Sequence, residues 1–272
     1  MSRCDDKAVT RRLLDRAGLR VPAQRKAGSE DDNAAFLASC DGRIVVKPAR
    51  GEQGHGISVD VRDADAVARA VEEARRFCDT VLLEEFCEGQ DLRIIVIDCK
   101  VVAAAVRRPA CITGNGRNTV RELIEAQSRR RAAATGGESR IPLDGETERC
   151  LAMESLSYDD VPEDGRTVFV RKTANLHTGG TIHDVTDRLH HTLVEAAVLG
   201  ARALDIPVVG FDFLVPDIGG PDYVVIEANE RPGLANHEPQ PTAERFIDLL
   251  FPQTRFAPPA GRSSDRRHHE GA

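Results

Sequence analysis

The sequence predicts an α+β chain whose sheets are antiparallel, and three observations carry that prediction. Residues 207–229 hold two apolar runs joined by the turn formers Pro216, Asp217, Gly219, Gly220, Pro221 and Asp222, which read as a hairpin. A second hairpin is read at 93–106, where Asp98-Cys99-Lys100 turns one apolar run back onto the next. Around these lie helical patterns at 5–17, 63–78 and 191–204.

At 272 residues the chain can bury a sizeable core, as one large domain or as two intimate subdomains. Hydrophobic residues make up 41% and charged residues 30%, the balance of a globular protein rather than a disordered one. No apolar run approaches the roughly 20 residues of a membrane span, and the N-terminal residues lack the apolar stretch of a signal peptide. A cytoplasmic protein is therefore expected. Seven cysteines (Cys4, Cys40, Cys78, Cys87, Cys99, Cys111 and Cys150) are scattered without a Cys-x-x-Cys pair, which points to reduced thiols rather than disulfides or zinc. A net charge of −7 gives nucleic-acid binding no support.

Taken in order, Asp5 and Asp6 offer caps for the first helix, with Val9, Leu13 and Ala17 repeating at four and Gly18 as the stop. Residues 19–42 read as loop apart from a short helical patch near Ala34 to Ala38. Arg43–Pro48 is a strand, and 63–78 is an amphipathic helix with Val67, Val71, Ala74 and Cys78 inward. The strand Val81–Phe86 breaks at Glu88-Gly89. Residues 111–165 read as an elaboration, in which Thr119 and Glu122 make a capping box for a helix carrying Val120, Leu123, Ile124 and Gln127. Arg129, Arg130 and Arg131 with Thr135–Glu138 are read as a mobile basic loop, its arginines a solvated face, with a grip on a carboxylate or phosphate as the lesser alternative. Thr242 is expected to cap a last helix with Phe246, Ile247 and Leu250, and 254–272 to be a disordered tail.

Four stretches carry chemistry. In the ribbon at 207–229, side-chain alternation puts Val209, Phe211, Phe213 and Val215 on one face and Asp212 on the other. On the return strand Val224, Ile226 and Ala228 share a face, leaving Glu227 and Asn229 together opposite them. Two carboxylates and a carboxamide beside apolar residues suit a hard cation such as Mg²⁺, with a solvated polar stripe as the plainer alternative. The strand ending in Lys47 runs into a loop with Gly51, Gly54 and Gly56, where free backbone amides and a lysine suit a phosphate. The loop matches neither a P-loop nor a Rossmann fingerprint. The strand end Glu84-Glu85-Phe86-Cys87 is followed by Asp91, and Arg107 and Arg108 close the second hairpin. Finally Arg171 and Lys172 precede a polar loop with Asn175, Thr178, Gly179, Gly180 and Thr181, whose amides and hydroxyls could orient a carboxylate. His177, His183, His190 and His191 match no standard zinc spacing.

A lysine with a glycine-rich loop, an acidic strand end and the Asp212, Glu227 and Asn229 set together describe a nucleotide clamp. Their order and spacing resemble the ATP-grasp superfamily from Asp5 to about Phe251, and Asn175-Leu-His-Thr-Gly-Gly180 resembles the ligases related to cyanophycin synthetase and the ribosomal-protein glutamate ligase. The runs 129–143, 171–184 and 227–244 are similar to those in the ATP-grasp part of the N-acetylglutaminylglutamine synthetases. The resemblance implies two subdomains on antiparallel sheets clamping ATP: residues 1–88 with the N-terminal helix, 89–253 with an insertion at 110–165, then the tail. It implies that Lys7 and Lys47 contact ATP phosphates, that Glu84 or Glu85 with Phe86 and Cys87 holds adenine, and that Asp91 holds ribose. Asp212, Glu227 and Asn229 would carry Mg²⁺, or Mn²⁺ in its place. Arg171 or Lys172 would act on the transferring phosphoryl group, and Arg107, Asn175, Gly179 and Gly180 would shape the site for the substrate carboxylate.

The implied activity is ATP-dependent amide formation between amino acids or acyl-amino acids, through an acylphosphate. A γ-glutamyl or cyanophycin-like ligase and a non-catalytic ATP-binding partner subunit are the alternatives. Such ligases usually carry a further domain before the first nucleotide-contacting lysine, acetyltransferase-like in the N-acetylglutaminylglutamine synthetases. Here that lysine's helix opens the chain, so a separate protein supplying that part is one expectation and a reduced ligase with another substrate is the other. Self-association is left open, and neither nucleic acid nor membrane is an expected partner.

Overall fold

The computed structural model of the chain describes residues 4–50, 56–237 and 239–254. Gly51, Gly54 and the expected tail after Thr254 lie outside the described residues.

The first sheet contains β1 (Gln24–Lys26), β2 (Ile44–Pro48), β3 (Ser58–Val61) and β4 (Val81–Glu85), in the order β1-β4-β2-β3 with every pairing antiparallel. Ile44, Val46 and Leu83 point to one face and pack against Phe36 and Leu37 of α2 (Glu30–Ser39) and Val67, Val71 and Ala74 of α3 (Ala64–Arg75). Strand alternation then sends Lys47 and Glu84 to the opposite face. The region expected as loop before β2 is thus mostly ordered structure. Its helix starts at Ser29, whose hydroxyl caps Asp32 N, with Glu30, Asp31 and Asp32 favourably placed at the positive end of the helix dipole. An acid-rich first turn hides the apolar periodicity that would have shown it.

The second sheet contains β5 (Gln90–Ile97), β6 (Lys100–Arg108), β9 (Thr181–Asp184), β10 (Val208–Val215) and β11 (Val224–Asn229), ordered β11-β10-β5-β6-β9 and antiparallel throughout. On one face Leu92, Ile94, Val209, Phe211 and Phe213 pack on α1 (Lys7–Arg16) and α6 (His191–Leu204) through Leu14, Leu193, Ala197 and Leu204. On the other face Ile95, Ile97 and Ala103 are covered by Phe246 and Leu249 of α7 (Thr242–Leu250). Only one end of that second face is apolar and covered. The other end carries Asp91, Arg93, Arg107 and Asp212. Gly89 lets β5 begin beside β10, since a Cβ there would stand 2.8 Å from Val215 N.

The 207–229 hairpin forms as expected, with Gly219 N donating to Asp217 Oδ1 at 3.0 Å in its turn. One part of its alternation is overturned. The register steps from Asp212↔Glu227 to Phe213↔Val225, so Ile226 is an extra residue, and Val225 joins Ala228 in the core while Val224 and Ile226 are half-buried. A β-bulge resets the period of two. Smaller corrections apply to the helices. α1 buries Thr10 and Leu14 rather than the Val9, Leu13 and Ala17 row, and α3 ends before Cys78. Thr242 is the first residue of α7 and not its cap, its hydroxyl donating instead to Leu234 O at 2.7 Å.

Residues 111–169 add β7 (Cys111–Thr113), α4 (Val120–Ala134), α5 (Gly145–Met153) and β8 (Thr167–Phe169), around a core of Ile112, Ile124, Leu151, Val168 and Val170. The capping box of Thr119 and Glu122 starts α4. That helix continues through Arg129, Arg130 and Arg131, so the basic run is not a loop; arginine is a good helix former and nothing in 120–134 breaks the helix. No helix among the described residues is long and apolar enough to cross a membrane.

Candidate nucleotide and metal site

On the first sheet Lys47 and Glu84 form a buried ion pair, Nζ to Oε1 at 2.6 Å, with side chains 6% and 4% exposed. Gln24 Nε2 donates to the second carboxylate oxygen, Oε2, at 2.7 Å. Glu85 instead accepts from Ala23 N at 3.1 Å, and the Arg43 guanidinium lies 4.2 Å over the Phe86 ring. Burial, then Glu85 and Glu84, push the Cys87 thiol up to about 11, away from the reactive thiolate. Gly56 has φ +70°, a conformation that favours glycine.

On the second sheet the bare end of the face is a charge network. Asp212 on β10 stands opposite Arg93 on β5, which holds both its oxygens, and Arg107 on β6 reaches the same carboxylate at 3.0 Å. Arg107 also grips Asp91 through two bonds of 2.8 and 3.0 Å. Burial alone would raise the Asp212 carboxyl, but Arg93 and Arg107 outweigh it and keep it below its ordinary value. Asp91 shares Arg107 with Asp212, while Arg93 acts on it only through space and less than Arg107 does. Burial therefore pushes it up to about 6 despite Arg107, with the Asp212 charge adding to the rise. Glu227 lies opposite Asp212 in register and pairs with Lys7 Nζ at 3.0 Å, while Asn229 lies opposite Gly210. Beside them His237 is 4% exposed and its Nδ1 has no hydrogen-bond partner among the described residues; burial, then Arg93 and Arg107, lower it to about 4, leaving a neutral imidazole.

The remaining predicted residues sit on the insertion side. Arg171 is buried and donates to Asp144 Oδ1 and to Thr147 Oγ1 of α5, so its bonds go to the insertion and not to the hairpin carboxylates. Lys172 Nζ reaches 3.9 Å from Asp60 on β3, whose carboxyl Arg43 and Arg62 hold well below the usual carboxylate range. Asn175–Gly180 is a closed turn. Gly180 N donates to Asn175 O at 2.8 Å, Gly179 N to Leu176 O at 3.1 Å, and His177 N to Asn175 Oδ1 at 2.9 Å. The glycine amides expected to orient a carboxylate are thereby spent on the turn.

The structure thus gathers Asp91, Arg107 and Asp212 with Arg93 in one network, sets the Lys7–Glu227 pair in register beside it, and pairs Lys47 with Glu84. Sequence reasoning missed Arg93, Gln24 and His237. Arg93 alternates with Leu92 and Ile94, a readable polar position, but that it faces Asp212 depends on strand order. Among the described residues no three His, Cys, Asp or Glu side chains converge as a self-sufficient metal site. Two carboxylates in register with a carboxamide two residues on fit a hard cation that takes its other ligands from phosphate and water. Lys7 and the two arginines fit the phosphate oxygens beside it.

Residues 4–120 match the model of the RimK-like ATP-grasp domain. The chain has the ATP-grasp fold and carries a RimK-like ATP-grasp domain. It is 34% identical over 261 residues to a cyanophycin synthetase of Nostoc sp., covering 91% of this chain and 29% of that protein. It is 30% identical over 263 residues to the glutathione biosynthesis bifunctional protein GshAB of Clostridium perfringens, covering 91% of this chain and 34% of the other. The chain therefore spans about a third of the length of these relatives. Among solved structures, a bifunctional glutathione synthetase from Pasteurella multocida superposes with a TM-score of 0.60 at 28% identity, covering 91% of this chain and 36% of that one. A D-alanine–D-alanine ligase from Bacillus anthracis shares the fold at a TM-score of 0.56 and 18% identity, over 90% and 64% of the two chains.

Proposed function

We propose that this chain is an ATP-dependent carboxylate–amine ligase that joins amino acids or acyl-amino acids by an amide bond. The observation that carries the proposal is the charge network on the bare end of the second sheet, where Asp212 and Glu227 lie in register within a RimK-like fold. Lys47 and Lys7 would hold ATP phosphates, and the strand end 84–87 adenine. Asp91, bound as it is to Arg107, is assigned to ribose only through that reading. Asp212, Glu227 and Asn229 would hold Mg²⁺ or Mn²⁺, which supplies charge neutralisation at the phosphoryl oxygens. Lys7 would then leave Glu227 for a phosphate.

In this reading a substrate carboxylate oxygen attacks the γ-phosphorus and the bond to the β-phosphate oxygen breaks, releasing ADP. The amine nitrogen then attacks the acyl carbon, phosphate leaves, and the amine gives up its proton. Positioning and charge do most of this work, so Arg93, Arg107 and Lys172 matter as fixed cations. The finer identity, an N-acetylglutaminylglutamine synthetase-like ligase, rests on the runs 129–143, 171–184 and 227–244. A cyanophycin-like ligase is supported by the 34% identity to the Nostoc protein.

ADP release with Mg²⁺ and ATP across a panel of carboxylate and amine pairs tests the proposal. Turnover that requires one particular pair supports it. ATP binding without turnover under any pair would leave a non-catalytic ATP-binding subunit.

A further inference from the structure

Arg131 belongs to the basic run read from sequence as solvated, yet its guanidinium is turned onto the backbone of the Asn175–Gly180 turn. Nη2 donates to Gly180 O, and Nε donates to Ser139 Oγ at 3.2 Å. Ser139 is 4% exposed and passes the contact on, its hydroxyl donating to Leu176 O at 2.6 Å. Ser139 N donates to Thr135 Oγ1 at 3.0 Å, and that hydroxyl donates to Arg131 O at 2.8 Å. Arg140 N completes the set with a bond of 3.1 Å to His177 O. The carbonyls of residues 176, 177 and 180 are therefore all held by the segment 131–140. The fit on the other side is as close. Gly179 has φ +93°, and a Cβ there would lie 2.4 Å from Ile141 Cγ1.

We infer that Arg131 is a positioning residue for the Asn175–Gly180 turn, acting through the backbone of Gly180 and, by way of Ser139, of Leu176; since the turn's amides are spent within it, what the clamp fixes for a substrate carboxylate is the Asn175 side chain. The purpose of the clamp rests on the ligase reading; its existence does not. A turn of irregular backbone would otherwise move on its own, and a small misplacement of a binding group costs much of the rate. The planar guanidinium reaches two acceptors at once. A lysine ammonium on a flexible stem reproduces that fork poorly.

Hydrogen–deuterium exchange on the full chain, comparing wild type with Arg131→Ala, Arg131→Lys and Ser139→Ala, tests the inference. Amides of 178–180 should exchange about tenfold or more faster in Arg131→Ala, less so in the other two variants, with β5 and β10 unchanged. Guanidinium ion at a sub-denaturing concentration should restore protection in Arg131→Ala but not in Ser139→Ala. Unchanged exchange, or a rise that guanidinium does not reverse, overturns the clamp. If Arg131→Ala loosens β5 and β10 as well, Ser139→Ala decides, and its unchanged turn would overturn the inference. Where the wild type forms ADP with a given pair, KM for that carboxylate should rise about tenfold in Arg131→Ala with KM for ATP within about twofold. Equal rises in both would overturn the positioning role. A wild type silent with every pair, but with guanidinium-reversible protection, sinks the ligase reading and leaves the clamp standing.

Discussion

Two sets of charge stand on the non-core faces of the two sheets, and they are built differently. Lys47 and Glu84 on the first sheet form a closed pair, with Gln24 taking the carboxylate's other oxygen. The network of Asp91, Arg93, Arg107 and Asp212 on the second sheet shares its partners, so that Arg107 serves two carboxylates and Asp212 two arginines, with the Lys7–Glu227 pair in register beside it. In the pair Lys47 and Glu84 serve each other, with Gln24 on the remaining oxygen. On the ligase reading the network's charges would be re-partnered as phosphate and metal bind. A closed pair ties the Lys47 charge to Glu84, so breaking it should register in stability, whereas a shared network tolerates exchange of partners; on the ligase reading both sets would meet ATP.

The largest expected effect is on the second set. Glu227→Gln should lower ADP release by about a hundredfold to a thousandfold or more with an unchanged circular dichroism spectrum, a size typical of losing one electrostatic group at a reacting centre. Full activity in that variant would refute the metal assignment. The pair should instead respond in stability. Glu84→Gln leaves the Lys47 charge buried without its partner and should cost about 3–5 kcal/mol in denaturant unfolding. Replacing both, Lys47→Met with Glu84→Leu, should recover most of that stability while ATP binding, followed by calorimetry, stays lost. Recovery of both would place Lys47 outside the nucleotide site.

The network also predicts two opposed pH dependences. Asp91 has its folded-state value raised to about 6, so its ionisation costs stability. The favourable contribution is present below the unfolded value near 4 and is lost as pH rises through 6. His237 has its value lowered to about 4, so its contribution is present above the unfolded value near 6.5 and is lost as pH falls through 4. Asp91→Asn should therefore make stability fall more steeply between pH 6 and 4, and His237→Gln should flatten that fall, each by on the order of 1–3 kcal/mol in urea titrations. Identical profiles in all three proteins would show that neither group titrates in the folded state as placed. The smallest effect belongs to Gln24→Ala, which removes one bond to Glu84 and should cost about 1–2 kcal/mol. A loss as large as that of Glu84→Gln would mean the pair is not closed by itself.

Strand periodicity, glycine-rich turns and a capping box were readable one segment at a time, because each depends on neighbours within a few residues. The 207–229 hairpin and its carboxylates, Lys47 at a strand end and the helix begun at Thr119 were visible on that basis. The bulge at Ile226 was not, since an extra residue shows only against the partner strand. Helix α2 was only glimpsed, because its acidic first turn masks an apolar face that the packed sheet supplies.

By itself, then, the sequence determined the antiparallel α+β architecture, the resemblance to an ATP-grasp clamp, and which polar residues stand on the non-core face of their strands. The tertiary structure alone decided who meets whom. Arg93 and Arg107 share Asp212 because β10, β5 and β6 are neighbours, Lys47 meets Glu84 because β2 lies beside β4, and Arg131 meets Gly180 because residues 131–140 fold onto the Asn175–Gly180 turn. Local patterns choose the face of a strand or helix. Partners distant in the chain are chosen by strand order and packing, which no local pattern encodes.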